Sequence, residues 1–188
     1  MKKIIIGIAL CFLIFGTNNY SELNHLAIIT NVGIEKNKDN YTVTFQEIVP
    51  KKEENKIIKT YNYYENSSNS IKNAFKLLEE DLTKEIYLDH LENIIIHSDD
   101  DKILSELLSY FQKDFDHFNI IYTENNPKDV MKYSSNYKYV NHLIDNNTSF
   151  RSVKKAKLEK KKINIPIVKL KDKKLIFYKY KELKKFES

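Results

Sequence analysis

The sequence predicts an α+β (mixed α/β) fold: a mixed β-sheet opened by an N-terminal hairpin, with helices packed on it. Two β-rich runs flank a polar turn near the N-terminus. Apolar runs of strand length then alternate with segments of helical period, and two more strands follow a basic helix. At 188 residues the chain is the size of one domain, large enough to bury a core without staples. Hydrophobic residues at 41% and charged residues at 30% are the proportions of a globular body, and 13 Tyr and 10 Phe supply large apolar area in the absence of Trp.

The hairpin is read between Ser21 and Pro50. Leu26 to Ile34 is nearly continuous in apolar residues, as a strand buried on both faces would be. Tyr41 to Val49 alternates, with Tyr41, Val43 and Phe45 on one face and Thr42, Thr44 and Gln46 on the other. Lys36 to Asn40 forms the polar turn. Gly33, inside the first strand, predicts a bulge or a close backbone approach. Lys51 to Lys56 reads as a connection and Ile57 to Tyr64 as a third strand. Glu65 to Ser70 reads as a turn ending in helix-capping residues. Ile71, Ala74 or Phe75, Leu78 and Leu82 then recur at helical spacing, in a helix ending near Glu85.

Ile86 to His97 is the next strand, and its three consecutive isoleucines place it at the centre of a sheet. Ser98 with Asp99, Asp100 and Asp101 caps a helix whose buried stripe is Ile103, Leu104, Leu107, Leu108 and Phe111. Phe118 to Thr123 is a short buried strand, and Asn126-Pro127 starts a third helix. Tyr139, Val140, Leu143 and Ile144 predict a fourth. Ser149 to Lys162 predicts a basic helix with Phe150, Val153 and Leu158 on one side. Ile163 to Leu170 and Leu175 to Tyr180 are strands about the turn Lys171 to Lys174.

The N-terminus has the form of an export signal. Met1-Lys2-Lys3 precedes an apolar run from Ile4 to Phe15, shorter than the ~20 residues of a spanning helix. Residues 1–17 are thus read as a signal peptide or short membrane anchor, and 18–188 as the domain it delivers outside the cytoplasmic membrane. An N-terminal core helix is the bland alternative. Cys11, the only cysteine, lies in this run, so no intrachain disulfide or cysteine metal site exists.

Catalytic constellations are missing from the pattern. No glycine follows Gly33, so neither a phosphate loop nor a nucleophile elbow can be built. His90 and His97, near Asp89 and Glu92, invite a metal reading. An odd separation of seven within one strand would put them on opposite faces, so no metal ligand is assigned. Asp99 to Asp101 lacks the alternating acids and glycine of a calcium loop. No catalytic residue and no cofactor are assigned. Residues 151–188 hold 15 Lys or Arg against 4 Asp or Glu. For this segment three readings stand: nucleic-acid binding with Tyr178 and Tyr180 stacking, attraction to an anionic membrane surface, or a solvated lysine-rich face. The solvated face is preferred, and no nucleic-acid partner is assigned.

Short motifs carry a resemblance. Glu22-Leu23-Asn24, then Leu26-Ala27-Ile28-Ile29-Thr30 and Gly33-Ile34-Glu35, resemble the opening of the Ger(x)C family, the C subunits of spore germinant receptors. Tyr87-Leu88-Asp89-His90-Leu91 looks like the family's tyrosine and glycine-histidine-leucine segment, with Asp89 in the glycine's place. Ile165 to Leu170 resembles its proline-bearing strand, and Phe177 to Phe186 the start of the next. The likeness covers nearly all of this chain and about half of a usual member, whose C-terminal domains are not in this sequence. It implies a non-catalytic extracytoplasmic subunit of a nutrient germinant receptor at the inner spore membrane. Its partners would be the integral membrane A-type and B-type subunits. A free-standing exported ligand-binding domain, or a nonfunctional truncated fragment, is the alternative. Aligning on Glu22-Leu23-Asn24 puts Gly16-Thr17 where the family has the glycine-cysteine of a lipoprotein signal, and Thr17 cannot carry a thioether-linked lipid. Export without lipidation is therefore expected. Glu22, Leu23 and Asn24 have two readings: entry into the first strand, or contact with an integral membrane partner.

Overall fold

The structure, a computed structural model, describes residues 25–54, 56–98, 100, 102–111, 118–133 and 148–183. Its strands are β1 (Leu26–Asn37), β2 (Asn40–Glu53), β3 (Lys56–Ser68), β4 (Glu85–Tyr87), β5 (Asn93–His97), β6 (Asn119–Thr123), β7 (Ile163–Lys171) and β8 (Lys174–Leu183). The helices are α1 (Ile71–Asp81), α2 (Lys102–Tyr110), α3 (Pro127–Lys132) and α4 (Phe150–Leu158). All eight strands form one mixed sheet in the order β3-β2-β1-β5-β6-β7-β8, with β4 parallel beside the start of β1. The centre, β1-β5-β6-β7, is parallel, and antiparallel hairpins close both flanks. The predicted fold class is therefore the observed one.

Burial of both faces explains the near-continuous apolar runs of the parallel strands. On one face Ile94, Ile96, Val32, Ile34 and Phe45 meet the apolar sides of α1, α2 and α4. Phe75 of α1 lies 5.0 Å from Phe45, and Phe118 lies 4.8 Å from Phe150 of α4, so aromatic rings bridge sheet to helices. On the other face Ile95, Ile121 and Val168 pack under Val130 and Met131 of α3. Helix starts follow local chemistry: Ser70 Oγ accepts from Asn73 N at 3.2 Å, Asn126 Oδ1 from Lys128 N at 2.9 Å, and Asp100 Oδ1 from Lys102 N at 2.8 Å.

Several elements differ from the sequence expectation. The first turn is only Lys38-Asp39, since Lys36 and Asn37 pair with Tyr41 and Asn40. Lys51 to Glu53 and Glu65 to Ser68 are strand rather than connection and turn, because β2 and β3 hold unbroken register from Tyr41↔Ser68 to Glu53↔Lys56. The stretch 86–97 is two strands: β1 pairs with β4 up to Ile28 and with β5 from Asn31, and residues 88–92 loop out between them. The helix expected to end near Glu85 stops at Asp81. In α4 the buried side is Phe150, Val153 and Ala156, whereas Leu158 is 77% exposed in the last turn. Tyr139 to Ile144 lies outside the described residues.

The polar face predicted for β2 is also covered. Thr44 and Gln46 are buried, and Gln46 Nε2 donates to Tyr63 OH at 2.9 Å and to the Met131 carbonyl at 3.1 Å. Asn31 donates to Gln46 Oε1, and Asn93 Nδ2 donates to Asn31 Oδ1 at 3.0 Å. This row crosses β3, β2, β1 and β5 in register. Buried amides bonded to one another fix strand register, because a slip would leave them unsatisfied.

A buried ion pair on the α1 side yields a pH prediction. Glu47, 1% exposed, accepts from Lys84 Nζ at 2.7 Å, Tyr64 OH at 3.0 Å and Asn62 Nδ2 at 3.1 Å. Burial pushes its carboxyl pKa up, but the three donors outweigh that, and the net shift is below the ordinary 4.5. A depressed folded pKa stabilises above the unfolded value, and that stability is lost as pH falls through the folded one. Melting temperature should therefore drop below about pH 4.5, and Glu47→Gln should flatten part of that slope while lowering stability at neutral pH by about 1–3 kcal/mol. Thermal unfolding between pH 3 and 7 reads both. An unchanged slope would remove Glu47 from the account.

Candidate functional site

At the start of β1 the chain forms a cavity of about 700 Å³. Its origin is the change of partner along β1. The register of β1 against β2 shifts between Ile29 and Asn31, where β4 gives way to β5, and the β4–β5 loop stands off the sheet there as a wall. The loop is pinned rather than loose. Leu91 N donates to the Leu88 carbonyl at 2.9 Å, Glu92 N to the Thr30 carbonyl at 2.8 Å, and Asn119 N to the Glu92 carbonyl at 2.9 Å. The opposite wall is the far half of the β2–β3 hairpin, which runs past the first residues of β1.

Chemically the cavity is amphipathic. Ile28, Ile48, Pro50, Ile57 and Leu91 give it apolar surface, and Lys59, Asp89, His90 and Glu92 give charge of both signs. Ile57, at the rim, is 76% exposed. Beside the wall, a hydrogen bond to Asp89 raises the Tyr87 phenol pKa, and the ring of Tyr87 stands edge-on to that of His90 at 5.7 Å.

The histidines considered as a metal pair are separated. His90 sits in the loop before β5, while His97 ends β5 with Nδ1 3.0 Å from the Asn125 carbonyl. Among the described residues no group of three or more His, Cys, Asp or Glu could hold a metal ion. In the basic segment Lys169 pairs with Glu124 at 2.7 Å and lies 3.5 Å from the centre of the Tyr178 ring, so that ring already carries a cation. Cys11, Thr17, Glu22, Leu23 and Asn24 lie outside the described residues.

Sequence reasoning weighed a metal role for His90 beside Asp89, set it aside for a turn position, and missed Ile48, Pro50 and Ile57. Their one local signal was an isoleucine next to the charged run Lys51 to Lys56.

The profile of the spore germination protein N-terminal domain matches residues 19–160. The chain belongs to the Ger(x)C family. No curated protein and no solved structure matches it. In this Ger(x)C domain the matched residues span β1 through α4, and β7 and β8 lie beyond them. The family-like segment Tyr87 to Leu91 is the end of β4 and the cavity wall. Asp89 is not among the residues at positive φ, so no left-handed conformation is needed there. Membership in the Ger(x)C family gives the chain a role in spore germination.

Proposed function

We propose that this Ger(x)C chain is a non-catalytic, extracytoplasmic subunit of a nutrient germinant receptor, held at the inner spore membrane with A-type and B-type integral membrane subunits. The family match over residues 19–160 carries this reading. No helix among the described residues is long and apolar enough to cross a membrane. In the proposal residues 1–17 deliver the domain as a signal peptide or short anchor, and 18–188 form the domain. The chain enters β1 at Leu26, at the same end of the sheet as the amphipathic cavity. A domain delivered by its N-terminus presents that end to the membrane, so Ile57 and Pro50, together with Glu22, Leu23 and Asn24, are the proposed contacts with the integral subunits.

The test is affinity purification of the tagged chain from spores. Both integral subunits should copurify, and Ile57→Asp should reduce their recovery at least several-fold without changing the melting temperature of the chain, since Ile57 is exposed. Absence of both subunits from the wild-type eluate, together with normal germination of spores lacking the chain, would overturn the reading. The cavity itself favours a second one, an exported domain binding a small amphipathic molecule. That alternative requires the chain to purify alone.

A further inference from the structure

The two edges of the sheet are built differently. At one edge, β8 carries Lys174, Lys179 and Lys181, and its pairing with β7 is interrupted between Ile167 and Val168. Lysines and irregular pairing are the usual means of preventing an edge from accepting another strand. At the other edge, β3 is thirteen residues long and keeps unbroken register with β2 throughout. Ile57 and Tyr61 are exposed on it, and among the described residues its outer side has no neighbour in the sheet order. Such a strand is a template for β-sheet extension.

The side chains of β3 are complementary to β3 itself. Tyr63 packs with the cluster under α3, Glu65 pairs with Lys128 of α3 at 3.4 Å, and Lys59 lines the cavity, which places all three on the α3 side. Tyr61 shares that side by the two-residue period of a strand. Two copies of one edge strand paired antiparallel are related by a two-fold axis perpendicular to the sheet, so opposed residues must lie on a common face. Only registers centred on a residue satisfy this. Among them, the register centred on Asn62 alone sets Lys59 of each copy opposite Glu65 of the other. It also opposes Tyr61 to Tyr63 and Thr60 to Tyr64, and places Asn62 opposite itself. A register centred on Tyr61 would set Lys59 against Tyr63, and one centred on Tyr63 would set Lys59 against Ser67. Charge therefore selects one alignment.

We propose that β3 is a self-association edge: two copies of this chain join β3 to β3 about a two-fold axis through Asn62, extending each sheet into one continuous sheet. This inference rests on the edge alone and does not require the receptor reading.

Charge reversal tests it on the full chain in mild detergent, with the mass read by sedimentation. The wild-type chain should sediment at twice the monomer mass. Lys59→Glu sets carboxylates against carboxylates on both sides of the axis and should yield monomer, with an unchanged far-UV spectrum. The double variant Lys59→Glu/Glu65→Lys restores opposite charges in reversed order and should return the dimer. A Cys11→Ser/Asn62→Cys chain should cross-link to a dimer with a short bis-maleimide, because the two introduced thiols oppose each other at the axis. A monomeric wild type, a dimer untouched by Lys59→Glu, or failure of the double variant to restore pairing would each overturn the proposal. A wild type that stays monomeric but acquires a strand from a receptor subunit would count among those failures.

Discussion

Replacement of Ile95 by Asp should leave this chain without a cooperative unfolding transition. Ile95 is fully buried in the middle of β5, paired through the backbone with Gly33 of β1 and Ile121 of β6. Its side chain packs in an apolar cluster with Ile121, Val130, Met131 and Val168. A carboxylate there would be desolvated without a partner. The cost is several kcal/mol, comparable with the roughly 5–15 kcal/mol that holds a whole domain together. The same substitution at Leu158 should be nearly silent, because that side chain is 77% exposed. Thermal denaturation followed by circular dichroism compares the two. A cooperative melt for Ile95→Asp near the wild-type temperature would show that β5 is not central to the sheet.

That contrast also shows what the sequence makes legible. Three consecutive β-branched isoleucines in a run of strand length favour a strand covered on both faces, so the centre of the sheet could be read. Helix starts at Ser70 and Asn126 were equally clear, because a capping side chain acts over three residues. Leu158 misled because it stands five positions after Val153, about 140° round the helix, and so falls off the stripe that Phe150, Val153 and Ala156 form. The tail of β3 was unreadable for another reason. Asn66, Ser67 and Ser68 have poor strand propensity, yet they lie opposite Val43, Thr42 and Tyr41, and the ladder overrides the preference. The cavity depends on residues from β1, β2, β3 and the β4–β5 loop meeting where β1 changes partner. No local pattern carries that change, so Asp89 and His90 read as turn residues with no sign that they form a wall.

Gly33 joins both lines of argument and yields the second large effect. The sequence left two reasons for it, a bulge or a close approach. The irregularity in β1 lies between Ile29 and Asn31, while Gly33 pairs regularly with Thr44 and Ile95 and does not have positive φ. Close approach is the reason. A Cβ at this position would stand 2.7 Å from Pro127 Cβ and 2.8 Å from Met131 Cε. The methionine methyl can swing aside, but the proline is held at the first turn of α3 and cannot. Any side chain at 33 must therefore lift α3, which covers Ile95 and Ile121 and whose Met131 carbonyl accepts from Gln46. Gly33→Ala should cost about 1–3 kcal/mol, and Gly33→Val more, as overpacking of a tight contact does. Adding Met131→Ala should relieve Gly33→Ala only partly, since the proline contact remains. Chemical denaturation of the three variants gives the ordering, and a Gly33→Val chain as stable as the wild type would mean that α3 does not rest on β1 as described.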